Sequence, residues 1–316
     1  MRTHGHAWTI GTHLSNVARP PRAPQSRPWS IVVDDALHGA VRLSGHLTEK
    51  AGSRTLLIVV HGLGGSADSP YARRAASAAL AHGVSSLRFH LRGADRSGED
   101  FYHAALTADL AAALRSPDLA RYERVGVLGY SLGGHIALRS GVELVDPRVR
   151  AVAAVCAPLD LASVQAWLDR PVGWIYRQYM LSALKVAYGA VASRQRAVPL
   201  DLREARRIRT IRDWDERIVA PRHGFRDADH YYNHASVAPL LPALEIPALL
   251  VLAEHDPMVP AHTVRPALAR ASDALDVRWL ARGGHIGFPR DVDLGVDAAR
   301  GLDAQVVAWL ARATHR

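Results

Sequence analysis

Cysteine is nearly absent from this 316-residue chain. Cys156 stands alone, so no intramolecular disulfide can form, and that usage fits a reducing compartment. Lysine is almost as rare: 37 of the 39 basic residues are arginine, Lys50 and Lys185 being the exceptions. Against 30 acidic residues this leaves a net charge of +9 and a sequence pI near 10.2. The arginines are not interleaved with aromatics on any nucleic-acid-binding motif, and beside so much alanine they read as genome-wide composition; no nucleic-acid partner is expected. Long apolar runs are missing too. The longest candidate, residues 151–159, is half of the roughly 18 residues that a spanning helix needs. The opening residues MRTHGHAWTIGTHL lack the apolar core of a secretory signal. These absences together predict a soluble, cytoplasmic protein.

What remains is 48% hydrophobic and 22% charged, enough to bury a core and too apolar for intrinsic disorder. Residues 1–30 contain no acidic side chain and carry Arg2, Arg19, Arg22 and Arg27 with Pro20, Pro21, Pro24 and Pro28. That composition resists helix and sheet, and it reads as a basic, Pro-rich tail or extended arm with order beginning near Ile31. From there short apolar runs alternate with alanine-rich helical stretches. Strands are expected at 55–60, 84–90, 124–129, 151–157, 248–253 and 277–280, and helices at 71–81, 106–114, 132–144 and 303–313. Continuous apolar strands alternating with helices imply an α/β fold, a mostly parallel sheet flanked by helices on both faces. About ninety residues after Cys156 break this rhythm with helix-like spacing and no clear strand. We read 162–245 as a helical cap inserted into a core formed by 31–161 and 246–316. Between Arg170 and Arg226 it holds 13 basic and 5 acidic residues.

The strongest chemical signal is Gly129-Tyr130-Ser131-Leu132-Gly133, a G-x-S-x-G set between a strand and a helix. A sharp turn there lifts Ser131 off the sheet end, and the glycines are needed because side chains would strike the neighbouring strand and helix. The helix that follows places the Leu132 N–H near a developing oxyanion. His61-Gly62-Leu63-Gly64-Gly65, directly after an apolar strand, is suited to supply a second such donor, best placed at Leu63. A serine nucleophile needs a base, and the base needs an orienting acid; in α/β-hydrolases these follow the serine as acid, then histidine. Among 17 histidines, the glycine-flanked, late His285 of GGHIGF is the one free to reach the sheet end. Asp256 lies just past the 248–253 strand, where Glu254 is an alternative only in principle because the strand is still running there.

Other groups carry weaker signals. His230 and His234 have the i, i+4 spacing of metal ligands, yet no Glu lies between them and no third ligand is evident, so surface or hydrogen-bonded cap residues is the reading adopted. Cys156 reads as a small buried hydrophobe rather than a redox thiol. Trp167, Trp174, Tyr176, Tyr179 and Met180 either line an acyl pocket or pack the cap.

Several stretches resemble the YheT-like hydrolases, a branch of the α/β-hydrolase superfamily that includes esterases and acylglycerol or phospholipid lipases. They are HGLGGSADSPY (61–71), RGADRS (92–97), YHAALTADL (102–110), GYSLGGHIAL (129–138), DERIVAPRHGFRDADHYY (215–232), HDPMVP (255–260) and GGHIGF (283–288). Within the 215–232 stretch, APRHGFRDADHYY (220–232) is far more family-specific than the serine elbow. Ala105, where the family often has glycine, and the N-terminal segment depart from the pattern without touching Ser131, Asp256 or His285. The resemblance implies an α/β-hydrolase fold with Ser131 as nucleophile, Asp256 as acid and His285 as base. The expected activity is that of a carboxylic ester hydrolase (EC 3.1.1) acting on short-chain or lipid-like esters, with no metal and no organic cofactor. An acyltransferase with the same three residues and a non-catalytic binding protein on the same fold are the rivals. Weak contact of the basic cap with an anionic membrane is a further expectation, and no oligomeric partner is assigned.

Overall fold

A computed structural model describes residues 3–143, 146–194 and 197–315, which form one eight-stranded sheet with helices on both faces. In chain order the elements open with α1 (Thr3–Ala18), β1 (Arg27–Asp35), β2 (Gly39–Thr48), β3 (Thr55–Val60), α2 (Pro70–Ala81) and β4 (Ser85–Phe89). Next come α3 (Ala108–Leu114), β5 (Arg124–Tyr130), α4 (Leu132–Val142) and β6 (Val149–Val155). An insertion follows whose regular elements among the described residues are all helices: α5 (Leu161–Leu168), α6 (Trp174–Ser193), α7 (Leu202–Arg207), α8 (Ile211–Trp214), a π-helical turn (Asp215–Val219), α9 (Ala220–Arg222) and α10 (Ala228–Ala235). The chain then returns to the sheet with β7 (Ala248–Ala253), α11 (Ala261–Leu268), β8 (Leu275–Leu280) and α12 (Leu302–Ala313).

The strand order is β1-β2-β4-β3-β5-β6-β7-β8, antiparallel at β1/β2 and β2/β4 and parallel elsewhere. β3 (TLLIVV) and β7 (ALLVLA) are buried along their whole length, as strands covered on both faces must be. Alternate residues of β3 serve two cores. Leu56, Ile58 and Val60 pack with α3, α4 and the insertion, whereas Leu57 and Val59 pack with α2 and α12. The parallel strands all end at one edge, so the loops after β3, β5, β7 and β8 converge there.

Residues 3–30 are not an extended tail. Residues 3–18 are helical and β1 begins at Arg27, ahead of the expected start at Ile31. Pro28 is tolerated because β1 is the edge of the sheet, and the other three prolines fall between α1 and β1. The β1–β2 hairpin was not legible in the sequence. Arg2 and Leu144, the latter the expected end of the elbow helix, lie outside the described residues.

Candidate active site

Ser131 sits at the β5–α4 turn with φ 53° and ψ −121°, a conformation that costs a non-glycine residue about 1–3 kcal/mol. Its neighbours show why glycine is required on both sides. A Cβ on Gly129 would lie 1.9 Å from Gly133 O, and one on Gly133 would lie 2.3 Å from Val60 O. The turn aims Ser131 Oγ at His285 Nε2, 2.9 Å away, while His285 Nδ1 lies 2.9 Å from Asp256 Oδ2. A carboxylate can only accept, so Nδ1 carries the imidazole proton and Nε2 is left to accept from the serine hydroxyl. The second Asp256 oxygen accepts the Met258 and Val259 N–H groups at 2.8 and 2.9 Å, which fixes the carboxylate plane. Both Asp256 and His285 are buried.

The Gly62–Gly65 loop faces the serine, Gly62 lying close enough that an added Cβ would meet Ser131 Cβ at 3.1 Å. Gly62 N–H donates to Tyr71 Oη, Gly64 N–H to Tyr102 Oη and Gly65 N–H to Gly62 O. Among the described residues, the Leu63 N–H is thus the one in this loop without a partner. Leu132 is the first residue of α4, where a backbone N–H has no intrahelical acceptor. His61 does not reach the serine. Its Nε2 accepts the Leu91 N–H at 3.0 Å, so Nδ1 is protonated and donates to Gly62 O at 2.7 Å. Full burial pushes His61 down to about 3, so it braces the loop as a neutral ring.

Two cavities meet at Ser131 and His285. The wider, about 390 Å³, runs between α1 and α6 past Ile10, His13, Ile175, Tyr176 and Tyr179. The narrower, about 100 Å³, runs under the helical insertion past Leu132, Val164, Leu184, Trp214 and Tyr231. Of the insertion aromatics, Tyr176 and Tyr179 line the wider arm with Met180, while Trp167 Nε1 donates to Pro257 O and Trp174 is exposed. Asp215 lies on the narrower arm, where burial pushes its carboxyl up to about 7 and Tyr232 Oη donates to it at 2.7 Å.

Cys156 lies beneath the site, fully buried, its thiol pushed well above the ordinary range by burial, so it is neither exposed nor ionised. His230 and His234 belong to none of the three-residue clusters with metal-ligand spacing among the described residues, and His230 Nδ1 accepts the Arg226 N–H. Three features escaped the sequence reading: α1 against the histidine loop, the Asp215–Tyr232 pair, and the tyrosines that occupy the Gly62 and Gly64 donors. The pair joins the two ends of the 215–232 stretch, which was the signal available for it.

This architecture, with a serine at the elbow and a histidine–carboxylate pair at the sheet edge, defines a class. Residues 55–291 match the family model described as the alpha/beta hydrolase fold. The chain belongs to that hydrolase family, in its YheT-like branch. It is 33% identical over 242 residues to YheT of Escherichia coli (strain K12), which carries an esterase name; the match covers 73% of this chain and 70% of that protein. Phospholipase ABHD3 of Mus musculus is 25% identical over 75% of this chain and 59% of its own length. Among solved structures, the Pyrococcus furiosus esterase Pf2001 superposes with TM-score 0.54 at 18% identity, covering 85% of this chain and 91% of that one. A 2,6-dihydroxy-pseudo-oxynicotine hydrolase gives 0.60 at 19% identity, covering 97% and 73%. These distant likenesses share the fold.

Proposed function

We propose that this hydrolase cleaves carboxylic esters through an acyl-enzyme on Ser131. The observation that carries this reading is the line from Ser131 Oγ through His285 to Asp256, with both contacts at 2.9 Å, opening into apolar cavities. Ser131 Oγ attacks the ester carbonyl carbon as its proton passes to His285 Nε2. The carbonyl oxygen becomes an oxyanion that the Leu63 and Leu132 N–H groups stabilise. Collapse breaks the bond to the alcohol, which leaves with the proton from His285. Water then repeats the sequence, giving the carboxylic acid and free serine. Asp256 holds the imidazole in the required tautomer and stabilises its charged form. No step calls for a metal or organic cofactor.

The apolar arms favour esters with at least one lipid-like chain. An alcohol entering by the wider arm in place of water would turn the same intermediate to acyl transfer, and product analysis with added glycerol separates the two. The test of the mechanism is labelling by a fluorophosphonate with mapping of the modified residue. Ser131→Ala is expected to abolish labelling and to lower ester turnover roughly 10³-fold or more. Labelling that persists on another serine, or no labelling of the folded wild-type protein, would overturn the mechanism.

A further inference from the structure

Helix α1 lies outside the residues matched by the family model, yet it is built into the active site. Gly5, Thr9, Thr12 and Asn16 recur at helical spacing and form the face turned to the protein, while Ile10, Leu14 and Val17 are exposed. The contact is with the loop that carries His285, and it is too close for side chains. A Cβ on Gly284 would lie 2.2 Å from Gly5 O, and one on Gly287 would lie 2.4 Å from Trp8 O. On the helix side, a Cβ on Gly5 would lie 1.7 Å from His255 O, beside the loop that carries Asp256. Thr9 makes the specific bond: its Oγ1 accepts the backbone N–H of His285 at 2.8 Å and donates to Gly5 O at 2.8 Å.

The histidine loop requires outside support. Ile286, next to His285, has φ 59°, an unfavourable backbone conformation for a β-branched residue. Such a conformation persists only where the surroundings over-determine it: the Ile286 side chain packs on the core shared with α2 and α12, while α1 holds the residues on either side, through the Thr9 bond to His285 and the close approach at Gly287. The same helix also bounds the wider cavity through Ile10 and His13, with α6 opposite. His6 Nδ1 and Tyr176 Oη, 2.6 Å apart, tie the two walls together.

From this geometry we infer that α1 is a working part of the site: Thr9 is a positioning residue for His285, and Ile10 sets the width of the channel that receives the substrate chain. This rests on the ester-hydrolase reading, so Ser131→Ala is run beside every variant. If that variant keeps full turnover, the mechanism fails, whatever α1 does.

The experiment measures kcat and KM on p-nitrophenyl esters from butyryl to dodecanoyl, with thermal unfolding of each variant. Thr9→Val keeps the shape and removes the acceptor, and it is expected to lower kcat about 10-fold with KM nearly unchanged, because small displacements of a reacting group are costly. Thr9→Ser keeps the acceptor and is expected to restore kcat to within about 2-fold. A merely structural Thr9 would lower Tm without this split between kcat and KM, and without rescue by serine. Ile10→Trp, at a partly exposed position, covers the case in which Thr9→Val does not fold. It is expected to lower kcat/KM for dodecanoyl relative to butyryl esters by about 10-fold, the scale at which pocket fit discriminates. A wild-type kcat in folded Thr9→Val, or an unchanged chain-length profile in Ile10→Trp, overturns the inference.

Discussion

Ser131 is held at positive φ by contacts that leave no alternative around it. The 1.9 Å and 2.3 Å clearances at Gly129 and Gly133 mean that the turn, β3 and α4 can coexist only with glycine at both positions. This is why the elbow was legible: the motif is a packing requirement written in residue types. Asp256 and His285 were legible for a related reason, since each follows a parallel strand, buried β7 and half-buried β8, at the edge where those strands end. The neutral state of His61 was not, because burial and the Leu91 N–H arise only in the folded chain. At this scale the sharpest expectation concerns the acid. Asp256→Asn retains the size of the side chain, yet its amide can donate to Nδ1 and thereby favour the wrong tautomer. Turnover should fall roughly 10²–10⁴-fold with Tm little changed. Near-normal turnover in that variant would move the acid elsewhere.

Elements with a strong apolar period were read to within a residue or two, β7 and α12 among them, because both bury apolar side chains in the sheet's cores. β1 was missed because it is an edge strand in which only Trp29 is buried. α1 escaped because the residues it packs on the protein are small or polar while Ile10, Leu14 and Val17 stay exposed at the cavity mouth or beyond it, which inverts the usual amphipathic signal. Charge pairing that joins the insertion to the core was likewise invisible in the sequence. Asp100 is fully buried and accepts from Arg92 at 3.0 Å and from Arg222 of α9, also at 3.0 Å. Arg92 is bound as well by Asp109 at 2.6 Å and by Asp35 at 2.6 Å, and that contact helps to hold Asp35 at about 2. Asp100→Ala leaves Arg222 buried without a carboxylate partner, whereas Arg92 keeps two. A loss of about 3–5 kcal/mol in urea unfolding is expected, the scale for breaking a buried ion pair on one side. A change below about 1 kcal/mol would mean that the insertion is seated by apolar packing alone.

Across the whole molecule, titration and surface character set two behaviours. Burial holds His61 and His223 at about 3 and lowers His135. The folded state keeps these rings neutral while the unfolded chain protonates them below about 6.5, so each loses stability as pH falls from there towards its folded value. Asp215 works the other way. Raised to about 7, it loses stability as pH rises from about 4 through 7. Burial lowers His38, His90 and His103 as well and raises Asp109 as it does Asp215, so six histidines oppose two carboxyls and the urea midpoint should drop between about pH 6.5 and 5; a constant or rising midpoint would contradict this assignment. The surface carries the second behaviour. Part of the positive charge on the insertion is locally paired, as in the bidentate Arg212–Asp229 contact and in Arg217 with Glu204, which weakens it as a basis for membrane contact. The mouth of the wider cavity is a better one. Ile10, Leu14, Val17, Trp174, Ile175 and Tyr179 are exposed on α1 and α6, neither helix contains an acidic residue, and Arg19 and Arg22 just beyond α1 have no acidic partner among the described residues. An apolar rim with nearby arginines suits the surface of an anionic bilayer, where each basic residue adds about 1 kcal/mol and the attraction fades within ~10 Å at 0.1 M salt. Sedimentation with phosphatidylserine-containing vesicles should therefore exceed that with neutral vesicles and weaken as salt rises. Leu14→Glu with Trp174→Glu should abolish it while leaving turnover of a soluble butyryl ester intact. Equal binding to both vesicle types would rule out the anionic surface and leave the ester chemistry untouched.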